Sequence, residues 1–122
     1  MTSRRESRNP LLRSDIVALR KASKANKNRL WKAVADQLEC SRSKRVVVNI
    51  GKIAKLTKPG DVVVVPGKVL GGGLIEHKVV VGGFSFSQVA RSKICAAGGE
   101  ALTIRRLIEA YPTGKGVKII GG

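Results

Sequence analysis

The chain has 122 residues, of which 43 % are apolar and only four are aromatic (Trp31, Phe84, Phe86 and Tyr111). One compact domain is expected, with a core built from Val, Ile, Leu and Ala, and the apolar fraction excludes a wholly disordered polycation. Lys and Arg number 24 against 8 Asp and Glu, a net charge of +16, which repels itself in a compact fold and draws polyanions to it.

The charge is uneven: residues 1–60 hold 16 basic and 4 acidic side chains, and residues 61–122 hold 8 and 4. The surface that meets a polyanion is therefore expected mostly in the N-terminal half. Residues 1–9 (MTSRRESRN) are polar, basic and aperiodic and read as a flexible arm carrying Arg4, Arg5 and Arg8; residues 10–122 read as a single domain. Asn9-Pro10 is a helix start, with Asn as N-cap and Pro at the first helical position. Leu12, Ile16 and Leu19 then share one face of that helix, and Arg13, Arg20 and Lys24 share another about 100° away. After the break at Asn26-Lys27-Asn28, a second helix from about Arg29 to Glu39 carries the apolar stripe Trp31, Val34, Ala35 and Leu38, with Asn28 as its cap. The two helices are expected to form a hairpin.

Ser41 to Arg45 is a polar loop in which Arg42, Lys44 and Arg45 put three cations into four positions. Val46-Val47-Val48 is a short β-branched strand, and Asn49 can cap a short helix through Ile50, Ile53 and Ala54. Lys58-Pro59-Gly60-Asp61 is a turn signature. Val62 to Val65 is apolar throughout, as expected of a strand buried on both faces. Pro66 to Gly73 follows with four glycines, at Gly67, Gly71, Gly72 and Gly73, and reads as a loop or a tight, irregular hairpin. Lys78 to Ser85 is a third strand, with Gly82-Gly83 marking a bend or a close backbone approach. Ser87 caps a helix carrying Val89, Ala90, Ile94 and Ala97, which Gly98-Gly99 ends. Thr103 caps another, with Ile104, Leu107 and Ile108, stopped by Tyr111-Pro112-Thr113-Gly114; Val117 to Ile120 is a last strand.

Catalytic chemistry finds little support. A phosphate-cradling P-loop needs two glycines separated by four residues and then Lys-Ser or Lys-Thr. Here Gly60 and Gly67 are separated by six, and Val69 follows Lys68; the dinucleotide fingerprint is also absent. His77 is the only histidine, and Cys40 and Cys95 form no CxxC pair, too few ligands for zinc. The cysteines are expected to be reduced, buried, small apolar residues. No enzyme activity, metal or cofactor is expected. No run approaches the about 18 consecutive apolar residues that cross a bilayer, and MTSRRESRNP has no apolar signal region, so membrane partners are not expected and a cytoplasmic location is.

The basic clusters carry the function. Arms such as residues 1–9 order by following phosphate backbones, and the 42–45 loop can straddle adjacent phosphates. In the Gly67–Gly73 segment the glycines either satisfy a tight turn or let RNA backbone approach without a Cβ in the way, with Lys68 adding charge. Trp31 lies on an apolar stripe and so belongs to the core. Phe84 and Phe86 alternate as on an RNA-recognition sheet, but VVVGGFSFS lacks the basic residues of that motif, so recognition by shape and backbone is expected.

Several segments together resemble a known family: Asn9-Pro10-Leu11-Leu12, WKAVADQLE, VNIGKIAKL, VVVVPGKVLGGG, FSFSQVARSKI and LIEAYP, in this order and spacing over nearly the whole chain. The chain resembles the archaeal and eukaryotic e-type large-subunit ribosomal protein eighteen, a family related to bacterial large-subunit ribosomal protein fifteen. The resemblance implies an α/β fold, N-terminal helices followed by an irregular superhelix of β-β-α units. It also implies a structural place on large-subunit ribosomal RNA beside other ribosomal proteins. The long basic C-terminal extension of the eukaryotic members is lacking, so the archaeal form is expected. A free chromatin-compacting protein and an enzyme using the glycine segment as a phosphate site are the rivals; nothing resembles a helix-turn-helix or zinc-finger reader.

Overall fold

The computed structural model describes residues 10–26, 29–39 and 46–121, with side chains from residue 13 onward. The arm with Arg4, Arg5 and Arg8, the Asn9 and Asn28 caps, the Leu12 side chain, Cys40 and the loop with Arg42, Lys44 and Arg45 lie outside the described residues. In chain order the elements are α1 (Pro10–Asn26), α2 (Arg29–Glu39), β1 (Val46–Asn49), α3 (Ile50–Leu56), β2 (Val62–Leu70), β3 (Val80–Phe86), α4 (Gln88–Ala96), β4 (Glu100–Thr103), α5 (Ile104–Ala110) and β5 (Val117–Ile119). The expected α/β class, N-terminal helices followed by alternating strands and helices, is what the structure shows; the alternation takes the form of one parallel sheet.

The sheet runs β1-β2-β3-β4, and β5 also pairs with β2. β2 is shared along its length: Val62–Val64 pair with Val117–Ile119, and Gly67–Leu70 pair with Val46–Asn49. On its other edge β2 pairs with β3, with a register shift between Val65 and Lys68, at Pro66-Gly67. Proline has no N–H to donate to the ladder, which accounts for the irregularity there. Successive strands that run parallel in one sheet need crossover connections. Helices α3, α4 and α5 supply three of them, and residues 71–79 cross from β2 to β3 without a helix.

The Val62–Val65 run is apolar at every position because both faces of β2 are covered. Val64 packs with Leu19, Trp31, Val34, Leu38, Ile104 and Leu107 of α1, α2 and α5. Val63 and Val65 pack on the other side with Ile50, Ile53, Ala90 and Ile94 of α3 and α4. The α2 stripe is buried as expected, and fully enclosed Trp31 donates from Nε1 to the Pro112 carbonyl at 2.9 Å. Burial of each such aliphatic side chain stabilises by roughly 1.5–3 kcal/mol before entropy is counted. The Ser87 and Thr103 hydroxyls accept from the N–H groups of Ala90 and Arg106, which sets the starts of α4 and α5.

Four expectations need correction. Residues 66–70 continue β2 instead of forming a loop, and because β2 and β3 are parallel the segment is no hairpin. Burial explains this: Val69 is fully enclosed, so tertiary packing overrides the turn composition. β4 was absent from the expected elements; its sequence EALT has little β propensity and is held by pairing with β3. Cys95 is exposed on α4, and so is Val89, because Ala90 and Ile94 form the buried side of that helix.

Candidate nucleic-acid interface

Helix α1 buries Leu19 and Ala22 and half-buries Ile16, which leaves Arg13, Val17, Arg20, Lys21 and Lys24 exposed along its outer crest. The crest has α2 on one flank and α5 on the other. Three of the cations expected to bind RNA, Arg13, Arg20 and Lys24, are thus on one surface, but they are not equivalent. Arg20 turns to α2, where its guanidinium meets Asp36 at 3.3 Å and also pairs with Glu39; Lys32 approaches the same Asp36 at 3.5 Å. These contacts fit a helical hairpin, since they bring residue 20 against residues 36 and 39 across the connection at 27–28. Arg20 therefore has much of its charge answered within the chain. Arg13 lines a furrow toward α5, and Lys24 lines a second one with Arg20, Ser23 and Lys32.

The furrow toward α5 is lined by Arg13, Ser14, Val17, Ala18, Lys21 and Arg105. Arg105 crosses from α5 and donates from Nη1 to the Ser14 hydroxyl at 2.9 Å. Below the crest, Asp15 is only 8 % exposed. Burial pushes its carboxyl above the ordinary carboxylate value, and the positive charge of Arg105 works against that rise. Lys21 and Arg105 were not among the residues picked out in the sequence. Lys21 sits two turns after Arg13 and was recoverable from helical spacing; Arg105 is brought alongside only by the packing of α5 on α1.

Lys68 and the four glycines occupy two distinct settings. Lys68 is an exposed position of β2, in register with Val47 of β1 and Ser85 of β3. Gly67 pairs with Val46 in the sheet, where a Cβ would run into the Val46 carbonyl. Gly71, Gly72 and Gly73 begin the crossover from β2 to β3 and lie against this chain's own backbone. The Gly72 N–H donates to Asn49 Oδ1 at 3.0 Å, and its carbonyl accepts from the Gly51 N–H at 2.8 Å. Asn49 stands at the N-cap position of α3 but makes no side-chain cap bond there; its side chain serves the glycine segment instead. Lys93 of α4 donates to the carbonyls of Gly71 and Gly73 at 2.7 and 2.6 Å. A Cβ on Gly71 would strike Val89, and one on Gly72 would lie 2.6 Å from Asn49 Oδ1.

His77 is half-buried and tied to the same region. Thr57 donates its hydroxyl proton to the Ile53 carbonyl at 2.7 Å, so toward His77 Nε2, also 2.7 Å away, it can only accept. The Nε2 atom therefore carries a proton, and the ring holds the crossover against the end of α3. Asp61 fixes the turn before β2: it accepts from the Lys58 N–H and from Lys118 Nζ, and these bonds lower its carboxyl below the ordinary value. Among the described residues, no group of His, Cys, Asp and Glu could hold a metal, and no helix is long and apolar enough to cross a membrane.

The family model described as "Ribosomal protein 60S L18 and 50S L18e" matches residues 2–122. The protein from Pyrobaculum aerophilum called large ribosomal subunit protein eL18 is 46 % identical over 112 residues, 92 % of each chain. The protein of the same name from Methanothermobacter thermautotrophicus is 46 % identical over 112 residues, 92 % of this chain and 93 % of its own. The Methanosphaerula palustris protein is 40 % identical over 120 residues, 98 % of this chain and 99 % of its own. With a match that runs from the second residue to the last, and relatives of nearly equal length, this chain belongs to the L18/L18e family of ribosomal proteins.

Proposed function

We propose that the protein is a structural constituent of the large ribosomal subunit that binds ribosomal RNA and stabilises its folding during subunit assembly. Its role is architectural rather than catalytic, and its place is the ribosome in the cytoplasm. Family membership along the whole chain carries this reading. The net charge of +16 and the cationic crest of α1 agree with it. Arg13 and Lys24 contact phosphates in this reading, and Arg20 chiefly locks α1 to α2. The arm with Arg4, Arg5 and Arg8 and the 42–45 segment with Arg42, Lys44 and Arg45 add backbone contacts, and Lys68 adds one more. The glycine segment is accounted for within the chain by Asn49, Gly51 and Lys93; on its outer side it meets RNA or a neighbouring ribosomal protein.

Binding of the protein to large-subunit ribosomal RNA, titrated across salt concentration, tests the reading. Affinity falls steeply with salt because each phosphate contact releases condensed counterions. Arg13→Ala with Lys24→Ala lowers the slope by about 2 units, and Arg20→Ala lowers it by well under 1. A wild-type protein that does not bind, or binds without salt dependence, refutes the proposed function.

A further inference from the structure

The two furrows beside α1 differ in charge. On the α2 side, the carboxylates of Asp36 and Glu39 answer Arg20, and Asp36 also meets Lys32. On the α5 side, the lining among the described residues holds three cations, Arg13, Lys21 and Arg105, and no carboxylate; the Asp15 carboxyl, which the charge of Arg105 reaches, is buried below it. The floor there is apolar. Val17 is 45 % exposed and sits one turn from Arg13 and one turn from Lys21, with Ala18 beside it. The bond from Arg105 to Ser14 ties the guanidinium to this furrow instead of leaving it free in solvent.

We propose that this furrow seats one unpaired nucleotide of the ribosomal RNA, an inference that rests on the RNA-binding reading above. The base lies on Val17 and Ala18 with the Arg105 guanidinium against it, and the flanking phosphates go to Arg13 and Lys21. Arg13 and Lys21 are about 12 Å apart along the helix axis, a span their long side chains close from both ends onto successive phosphates. Duplex RNA keeps the flat faces of its bases stacked away and presents mainly phosphates, 2′-hydroxyls and base edges, so it offers Val17 little apolar surface. An unstacked base offers its face, and bases are recognised in this way on apolar, aromatic or guanidinium surfaces. An acidic segment of a neighbouring ribosomal protein is the rival occupant. The furrow favours RNA because its cations stand at both ends of the apolar floor, as the two phosphates flanking a base do.

The test uses the full chain with large-subunit ribosomal RNA. Val17→Ser keeps every charge and removes the apolar floor at an exposed position, so its melting temperature stays at that of wild type. It weakens binding by about five- to tenfold at every salt concentration and leaves the salt slope unchanged. Lys21→Ala instead lowers the slope by about 1. A photo-crosslinking side chain placed at position 17 reacts, in assembled subunits, with a single nucleotide outside any duplex. If Val17→Ser binds like wild type, or if the crosslink falls on a ribosomal protein or on paired RNA, the furrow proposal fails while RNA binding by the wild-type chain still stands. If the wild-type chain itself does not bind, the underlying reading fails with it.

Discussion

Asp15 shows how a side chain beneath a cationic surface can work against the fold that holds it. It is buried under α1's crest, and loss of hydration raises its carboxyl above the ordinary value near 3.8 despite the positive charge of Arg105. In the unfolded chain the group ionises at that ordinary value. Below it both states are protonated, and Asp15 costs the fold nothing. As pH rises through the folded-state value, the carboxylate forms where water solvates it poorly, and that part of the stability is lost. Asp15→Asn keeps the shape and removes the charge. We expect it to melt at a higher temperature than wild type at pH 7 and at the same temperature at pH 3. An equal difference at both pH values would assign the effect to packing instead of ionisation. Asp61 has the opposite sign, because hydrogen bonds favour its charged form; its contribution is present at neutral pH and is lost as pH falls through its lowered folded-state value.

The crossover that joins β2 to β3 without a helix is held by other elements, and its Gly73 can be set against Gly60 of the turn before β2. Gly60 and Gly73 have nearly the same φ, 88° and 91°. Around Gly60 a Cβ meets nothing within 4 Å, whereas at Gly73 it would lie 2.6 Å from the Gly51 Cα. Gly60→Ala should therefore cost only the left-handed backbone penalty, about 1–2 kcal/mol. Gly73→Ala should cost about 2 kcal/mol more, because the backbone of α3 must also give way. Denaturant unfolding of the two variants measures the difference; equal losses would mean that the seat against α3 contributes nothing. The sequence made the local signals of such elements legible. Ser87 and Thr103 announced two helix starts, the Trp31 stripe announced a buried helix face, and VVVV announced a strand covered on both sides. It did not show that residues 66–70 continue a strand or that EALT forms one, because both depend on partners far along the chain. The same holds for the candidate interface: α1's cations follow from helical spacing, while the diversion of Arg20 to Asp36 and Glu39 and the arrival of Arg105 exist only once helices pack.

At the scale of the whole molecule, one sheet serves two cores. Val64 belongs to the cluster under α1, α2 and α5, and its neighbour Val65 belongs to the cluster under α3 and α4. Damage to either should be felt by both. Val64→Ala and Val65→Ala are each expected to cost about 2 kcal/mol and to lower the temperature of a single calorimetric transition. Two separate transitions in either variant would show that the cores melt independently. The shared edge of β2 also sets a timetable. On the edge away from β3, Val62–Val64 pair with Val117–Ile119 and Gly67–Leu70 pair with Val46–Asn49, so pairs of short and long sequence separation meet on one strand. Loop closure over more than fifty residues is slow relative to local folding. While the chain is being synthesised, β2 thus keeps half an edge open until residues 117–119 emerge, and a strongly cationic, unfinished protein is exposed to the polyanions around it for that interval. Completion of the fold, and with it the final arrangement of the α1 crest, is a late event of synthesis that an early encounter with RNA could either guide or trap.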